Sequence, residues 1–316
     1  MLLQVSPLRC GVGFFSMGAT NNYGALTFLF FFLFIFLQGL VVPSNVAQLH
    51  WFDILHSNNT STTTDTPNVP MIHVVQPGAA TAAMATKTRN TNRTVVAYLG
   101  RLDRIKSPSI FIRLVASLMQ EEHQWHVPYE FWVIGAGNLK ATLQEMLHAL
   151  MMLPSKNRNA NNPTLSASTF SSFDGSIDRF ISNRITFMGA ISHSTLISLL
   201  KHDIDIVVHS TLSNETFGLS NVEAMALGVP VISTCVGGVA DYLRHNMSHG
   251  ACVPSTTSTT ALIDEMKQEV YRLASLTDAD WNKTSRAAIE YVQSYGLRKR
   301  DMIHRYHLLY SGLVSK

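Results

Sequence analysis

From Thr94 onward, short apolar runs of β type alternate with segments of helical texture. The runs are Thr94–Leu99, Glu130–Ile134, Arg184–Met188, Asp205–His209, Pro230–Ser233 and Ala251–Val253. That alternation predicts an α/β fold: a doubly wound parallel sheet with helices on both faces. The tail from Thr257 to Val314 reads as helices, with Asp278 and Asp280 near the start of one. Upstream the texture differs. Residues 1–23 show no clear pattern, Ala25–Val42 is a Phe/Leu-rich run broken only by Thr27, Gln38 and Gly39, and His56–Thr66 is a polar Asn/Ser/Thr tract. Pro154–Asp178 is Ser/Asn-rich and reads as a mobile surface insertion. The expected organisation is therefore an atypical N-terminus over 1–42, a remnant and linker over 43–93, and a domain over 94–316 with a polar insertion at 154–180.

Composition narrows the function classes. The 316 residues suffice for two domains, and a net charge of +3 is spread too thinly to form a basic stripe, which argues against nucleic acid as partner. Cys10, Cys235 and Cys252 have no metal-ligand spacing, so neither a disulfide framework nor a zinc site is expected. Cys235 reads as a small residue near the sheet rather than a nucleophile.

In a doubly wound sheet, ligands bind outside the carboxyl ends of the strands, so the chemistry belongs in the loops that follow them. After Leu99 come Gly100, Arg101, Leu102, Asp103, Arg104, Ile105 and Lys106, ahead of a helix with Ser107 as N-cap and Pro108 in its first position. Arg101 can grip a phosphate bidentately and Lys106 can add a point charge. Asp103 and Arg104 read as surface charges. Gly135-Ala136-Gly137 after Ile134 and Gly189 after Met188 permit close backbone approach. After His209 the stretch from Glu215 through Phe217, Gly218 and Leu219 to Glu223 is the most informative: a carboxylate in a loop, a glycine at the mouth of a helix, and a second carboxylate inside that helix. The free N–H groups of a first helical turn suit a diphosphate. His193, His202 and His209 read as structural.

The ordered set GRLDRIKS, FWVIGAGNLKATLQEM, ITFMGAIS and ETFGLSNVEAMALGVPVISTCVGG resembles the C-terminal, donor-binding domain of retaining GT-B glycosyltransferases of group 1, relatives of sucrose-phosphate and bacterial glycogen synthases. The likeness covers roughly Val95 to Leu273. It implies that Arg101 and Lys106, with Gly100 beside them, bind the donor diphosphate. It further implies that Glu215 contacts the donor sugar, Glu223 the ribose hydroxyls, backbone amides around Phe217, Gly218 and Leu219 the phosphates, and that the Gly135 and Met188 loops flank the base. The implied activity is transfer of a hexose from a UDP- or GDP-sugar, with retention, to a glycan, lipid or small molecule, without metal or other cofactor. In such a reaction, charge grows on the leaving phosphate, and each preorganised donor aimed at it supplies roughly 3–4 kcal/mol in a dry site.

Competing readings are weaker. A glycosidase pair needs carboxylates flanking one bond, whereas these two face different parts of one ligand. Asp203-Ile204-Asp205 has the look of a metal-binding Asp-x-Asp, but it opens a strand rather than closing one and reads as a solvated strand start. The N-terminal half of a GT-B enzyme, which supplies the acceptor site and often a catalytic His, is expected to be largely missing. Residues 25–42 are long enough for a marginal transmembrane helix, which would tether a donor-binding half-domain to the cytosolic face of a membrane. Thr27–Gln38 also reads as a translated pyrimidine tract ending in CAG, so residues up to Gln38 have the texture of a retained intron. Asn214-Glu215-Thr216 is a glycosylation sequon over the proposed site, so an active domain is expected in the cytosol.

Overall fold

The computed structural model describes residues 33–34, 39–42, 71–74, 78–79, 87, 89, 92–121, 128–152, 176–213, 215–244, 247–254 and 258–314. The chain divides into two units, one of Met1–Gln76 with Met302–Lys316 and one of Pro77–Asp301. In the first, the described strands are β1 (Leu33–Phe34), β2 (Gly39–Val42) and β3 (Met71–Val74), in that order, with β1 antiparallel and β3 parallel to β2. Most of the apolar run over 25–42 and of the insertion over 154–180 lies outside the described residues. Among the described residues, no helix is long and apolar enough to cross a membrane.

The second unit carries the site. Its strands are β4 (Thr94–Leu99), β5 (Tyr129–Ile134), β6 (Ile185–Gly189), β7 (Ile206–His209), β8 (Val231–Ser233) and β9 (Gly250–Cys252). They form one sheet in the order β6-β5-β4-β7-β8-β9, parallel at every pairing. Between them and after them run α1 (Pro108–Gln120), α2 (Lys140–Met152), α3 (Ser176–Arg184), α4 (His193–His202), α5 (Leu219–Ala226), α6 (Thr259–Ala274) and α7 (Asp278–Ser294); α8 (Lys299–Val314) follows and belongs from Met302 on to the first unit. The expected α/β class and doubly wound parallel sheet are what the chain forms, and the strand boundaries fall within a residue or so of those read from the apolar runs. One boundary moves for a clear reason: Arg184 closes α3, whose last turn favours a cation, and the strand begins at Ile185. That helix also takes Ser176–Asp178 and the two residues after them out of the expected loop.

Alternation along the central strand explains the continuous apolar runs. On β4, Val96 and Tyr98 enter the core layer under α1, α2 and α6, while Val95, Ala97 and Leu99 enter the layer under α4, α5 and α7. All six residues of the strand are buried, and each large side chain so buried contributes about 1.5–3 kcal/mol. Strand order reverses between β4 and β7, because the chain first builds outward through β5 and β6 and then returns to build through β8 and β9. Loops leaving β4 and β7 diverge there and open a crevice at the carboxyl ends.

The opposite end of the sheet is held by charge. Asp205, expected as a solvated strand start, is fully buried instead, accepting the Val95 N–H at 2.8 Å and lying 3.7 Å from the equally buried Lys87 ammonium. Burial dominates both groups, pulling Lys87 down to about 8 and pushing Asp205 up, against their mutual attraction. Asp203 pairs with Arg93 at 3.4 Å. The Asp-x-Asp carboxylates are thus committed to cations of the fold, and among the described residues no group of three or more His, Cys, Asp or Glu is placed to hold a metal ion.

Candidate functional site

Three glycine-bearing turns make one end of the site floor. Gly100 N–H donates to Ile134 O at 3.0 Å, Gly135 N–H to Gly189 O at 2.8 Å, and Leu102 N–H to Ala136 O at 2.9 Å, so the loops after β4, β5 and β6 lie backbone to backbone. A Cβ on Gly135 would stand 1.8 Å from Gly100 O, at a φ of +144°. The close approach that this glycine permits in the structure is to the neighbouring loop. Gly189, at φ +72°, has open space where a Cβ would be. Met188, half-buried, packs on the core layer below.

Across the switch point, the loop after β4 is stitched to the loop after β7. Thr211 Oγ1 donates to Ile105 O at 2.8 Å, Ser210 Oγ to Ser107 O at 3.2 Å, and Leu212 N–H to Ser107 Oγ at 3.1 Å. Ser107 occupies the N-cap position before Pro108, as read from the sequence, but its side chain makes no cap hydrogen bond. Its backbone is left-handed at φ 46°, which turns the hydroxyl toward the β7 loop instead. Asp103 is more than a surface charge: it accepts the Lys106 N–H at 3.1 Å and pairs with Arg101 at 3.1 Å.

This stitching brings the Lys106 ammonium onto Glu215 Oε2. Glu215 is mostly buried, and burial pushes its carboxyl up. His209 and Lys106 together outweigh that and hold it down at about 2, so it stays a carboxylate. His209 Nε2 lies 3.6 Å from the same oxygen. The Glu215 backbone is pinned as well, with its carbonyl accepting the Gly238 N–H at 2.6 Å. Arg101 stays out in solvent, its side chain 68% exposed, paired with Asp103 alone among the described carboxylates.

The mouth of α5 follows directly. Gly218 takes the N-cap position at φ 76°, no acidic side chain occupies the first turn, and the leading amides of Leu219 and Ser220 have no intrahelical acceptor. Tyr242, wholly buried, donates to Gly218 O at 3.1 Å and packs against Phe217 with ring centroids 5.1 Å apart and the rings tilted at 49°. Phe217 is 2% exposed, so only its backbone can face a ligand. Glu223 sits one turn into α5 and receives His193 Nε2 at 3.0 Å. Every candidate residue lies at the carboxyl end of the sheet or on the helix that starts there. The structure joins Lys106 to Glu215, leaves Arg101 apart at the rim, and places Gly100, Gly135 and Met188 on the opposite side of the switch point from Gly218 and Leu219.

Two histidines set aside as structural turn out to touch the two glutamates. A sequence signal existed for His209, since it closes a strand whose next loop carries Glu215. None existed for His193, whose contact depends on how α4 packs beside α5. The sulfurs also depart from expectation: Cys235 and Cys252 form a disulfide. Parallel pairing explains their meeting, because Ser233 and Cys252 are register partners on β8 and β9, and Cys235 follows two residues on.

The description "Glycosyl transferases group 1" fits residues 176–271 of this chain. A D-inositol 3-phosphate glycosyltransferase from Mycolicibacterium gilvum (strain PYR-GCK) is 26% identical over 223 residues, covering 69% of this chain and 40% of that protein. Among solved structures, the pneumococcal O-GlcNAc transferase GtfA, in complex with UDP and GlcNAc, superposes with a TM-score of 0.61 at 13% identity, covering 88% of this chain and 46% of that one. Sucrose-phosphate synthase from Thermosynechococcus elongatus superposes at 0.56 with 18% identity, covering 88% and 58%. The chain therefore spans less than two thirds of the length of each of these proteins. The stretch from α3 to α6 is thus similar to the group 1 glycosyl transferases, and the fold is the one those solved structures share.

Proposed function

We propose that the Pro77–Asp301 unit binds a nucleotide sugar, and that the protein transfers its hexose to an acceptor with retention of configuration. The observation that carries this reading is the Lys106–Glu215 pair, set across the switch point at the mouth of α5. A diphosphate placed there meets the first-turn amides and the Lys106 ammonium, and Arg101 reaches in from the rim. Glu215 then addresses the sugar, and Glu223 the ribose hydroxyls. As the anomeric bond breaks, negative charge grows on the leaving phosphate where these donors already point. The departing phosphate takes the proton of the acceptor hydroxyl as it attacks from the same face. No side chain of this chain needs to act as a nucleophile, and the cations supply the role a metal plays elsewhere.

The test is calorimetric titration of the full chain with UDP, GDP, UDP-glucose and GDP-mannose, followed by transfer assays with radiolabelled donor. Binding of one nucleotide and its sugar, lost in Lys106→Ala, supports the reading. Absence of binding by all four probes overturns it.

A further inference from the structure

His209 ends β7 with its side chain 5% exposed, inside the fold rather than in the crevice. It is the register partner of Ser233 on β8, and its Nδ1 lies 3.3 Å from Ser233 Oγ. That hydroxyl also accepts the Cys235 N–H at 3.2 Å. A hydroxyl that accepts from the backbone has its own proton to donate to Nδ1, and this tautomer leaves Nε2–H facing Glu215 Oε2 at 3.6 Å. A polar path thus runs from Cys235 N–H through Ser233 and His209 toward Glu215.

Lys106 and His209 approach one oxygen of Glu215 from different places. Lys106 rides on an exposed loop, and an arriving diphosphate competes with Glu215 for its ammonium. His209 is fixed by the sheet register and cannot follow the ligand. We infer that His209 is a positioning residue: it holds the Glu215 carboxylate in its sugar-facing orientation when Lys106 turns to the phosphates. The inference rests on the reading of this crevice as a nucleotide-sugar site.

The two fail separately in one experiment. Calorimetry on the full chain gives the Kd of a nucleotide diphosphate and of its sugar conjugate, UDP against UDP-glucose or GDP against GDP-mannose, and the ratio isolates the contacts to the sugar. In His209→Phe the ratio shifts against the conjugate roughly tenfold, the size of one hydrogen bond to a charged group, while the diphosphate's own Kd stays within about twofold of wild type. His209→Gln, which keeps an N–H near the Nε2 position, retains the wild-type ratio. Ser233→Ala, which frees Nδ1 while leaving the imidazole, shifts the ratio in the same direction, and serves if the Phe variant does not fold. An unchanged ratio in folded His209→Phe or Ser233→Ala overturns the inference, as does an equal loss for both ligands, which marks a structural role. Wild type that binds no probe overturns the site reading, and this inference with it.

Discussion

At the scale of single residues, burial and charge pull in opposite directions, and the winner differs from site to site. Glu215 is buried yet held at about 2, because a histidine and a lysine reach one of its oxygens. Replacing it by Gln leaves the Lys106 ammonium without its carboxylate partner, and with it the proposed contact to the sugar. Donor affinity and turnover are both expected to fall, by a hundredfold or so in rate if the carboxylate acts as one preorganised group at the reacting sugar; single-turnover kinetics with labelled donor checks this. His249 shows the other outcome. It is 5% exposed, its ring lies 4.7 Å from that of Tyr291, and its Nε2 has no hydrogen-bond partner. Burial alone pulls it down to about 4. The sign is that of a group kept neutral by folding: its stability contribution is complete above the ordinary value of about 6.5 and is lost as pH falls toward 4, since the unfolded chain takes the proton first. Between pH 7 and 5 that amounts to about 2 kcal/mol. Urea denaturation at the two values is expected to show this loss in wild type and not in His249→Phe; equal losses in both would refute it.

At the scale of elements, the site is a product of how loops touch. The glycine turns after β4, β5 and β6 pack without side chains between them, whereas the loops after β4 and β7 are joined by hydroxyls and a salt bridge. These two kinds of seam should respond differently to mutation. Gly135→Ala forces a methyl into the Gly100 carbonyl and is expected to cost more than about 3 kcal/mol, because backbone rather than a flexible side chain must move. Gly189→Ala meets no neighbour and bears only the left-handed backbone, about 1–2 kcal/mol. Paired denaturation curves decide the matter, and similar losses would mean that the turns are not in contact as described.

At the scale of the whole molecule, the Pro77–Asp301 unit divides labour between the two ends of one sheet. The carboxyl ends carry Lys106, Glu215, Gly218 and Glu223; the amino ends carry Lys87, Arg93, Asp203 and Asp205. Lys87→Met strands a buried carboxylate and is expected to destabilise the fold by about 3–5 kcal/mol. Its nucleotide Kd should stay within about twofold of wild type at a temperature where the variant is folded, and a large change in affinity would show that the ends are coupled. Much of this organisation was legible along the chain. Apolar runs of strand length alternating with helical segments dictate a parallel sheet, because a strand buried on both faces has no other arrangement that hides Val95, Ala97 and Leu99 along with Val96 and Tyr98. The loops worth searching followed from that, as did the glycine before α5 and the two glutamates around it. What no local pattern contains is who meets whom across more than a few residues. His209 onto Glu215 and His193 onto Glu223 depend on strand register and helix packing. So do Cys235 onto Cys252, Lys87 onto Asp205 and Gly135 onto Gly100. Sequence alone determined the fold class, the end of the sheet where a ligand is to be sought and the residue types gathered there. Tertiary structure decided their partners, because burial and pairing are properties of neighbours in space rather than of distance along the chain.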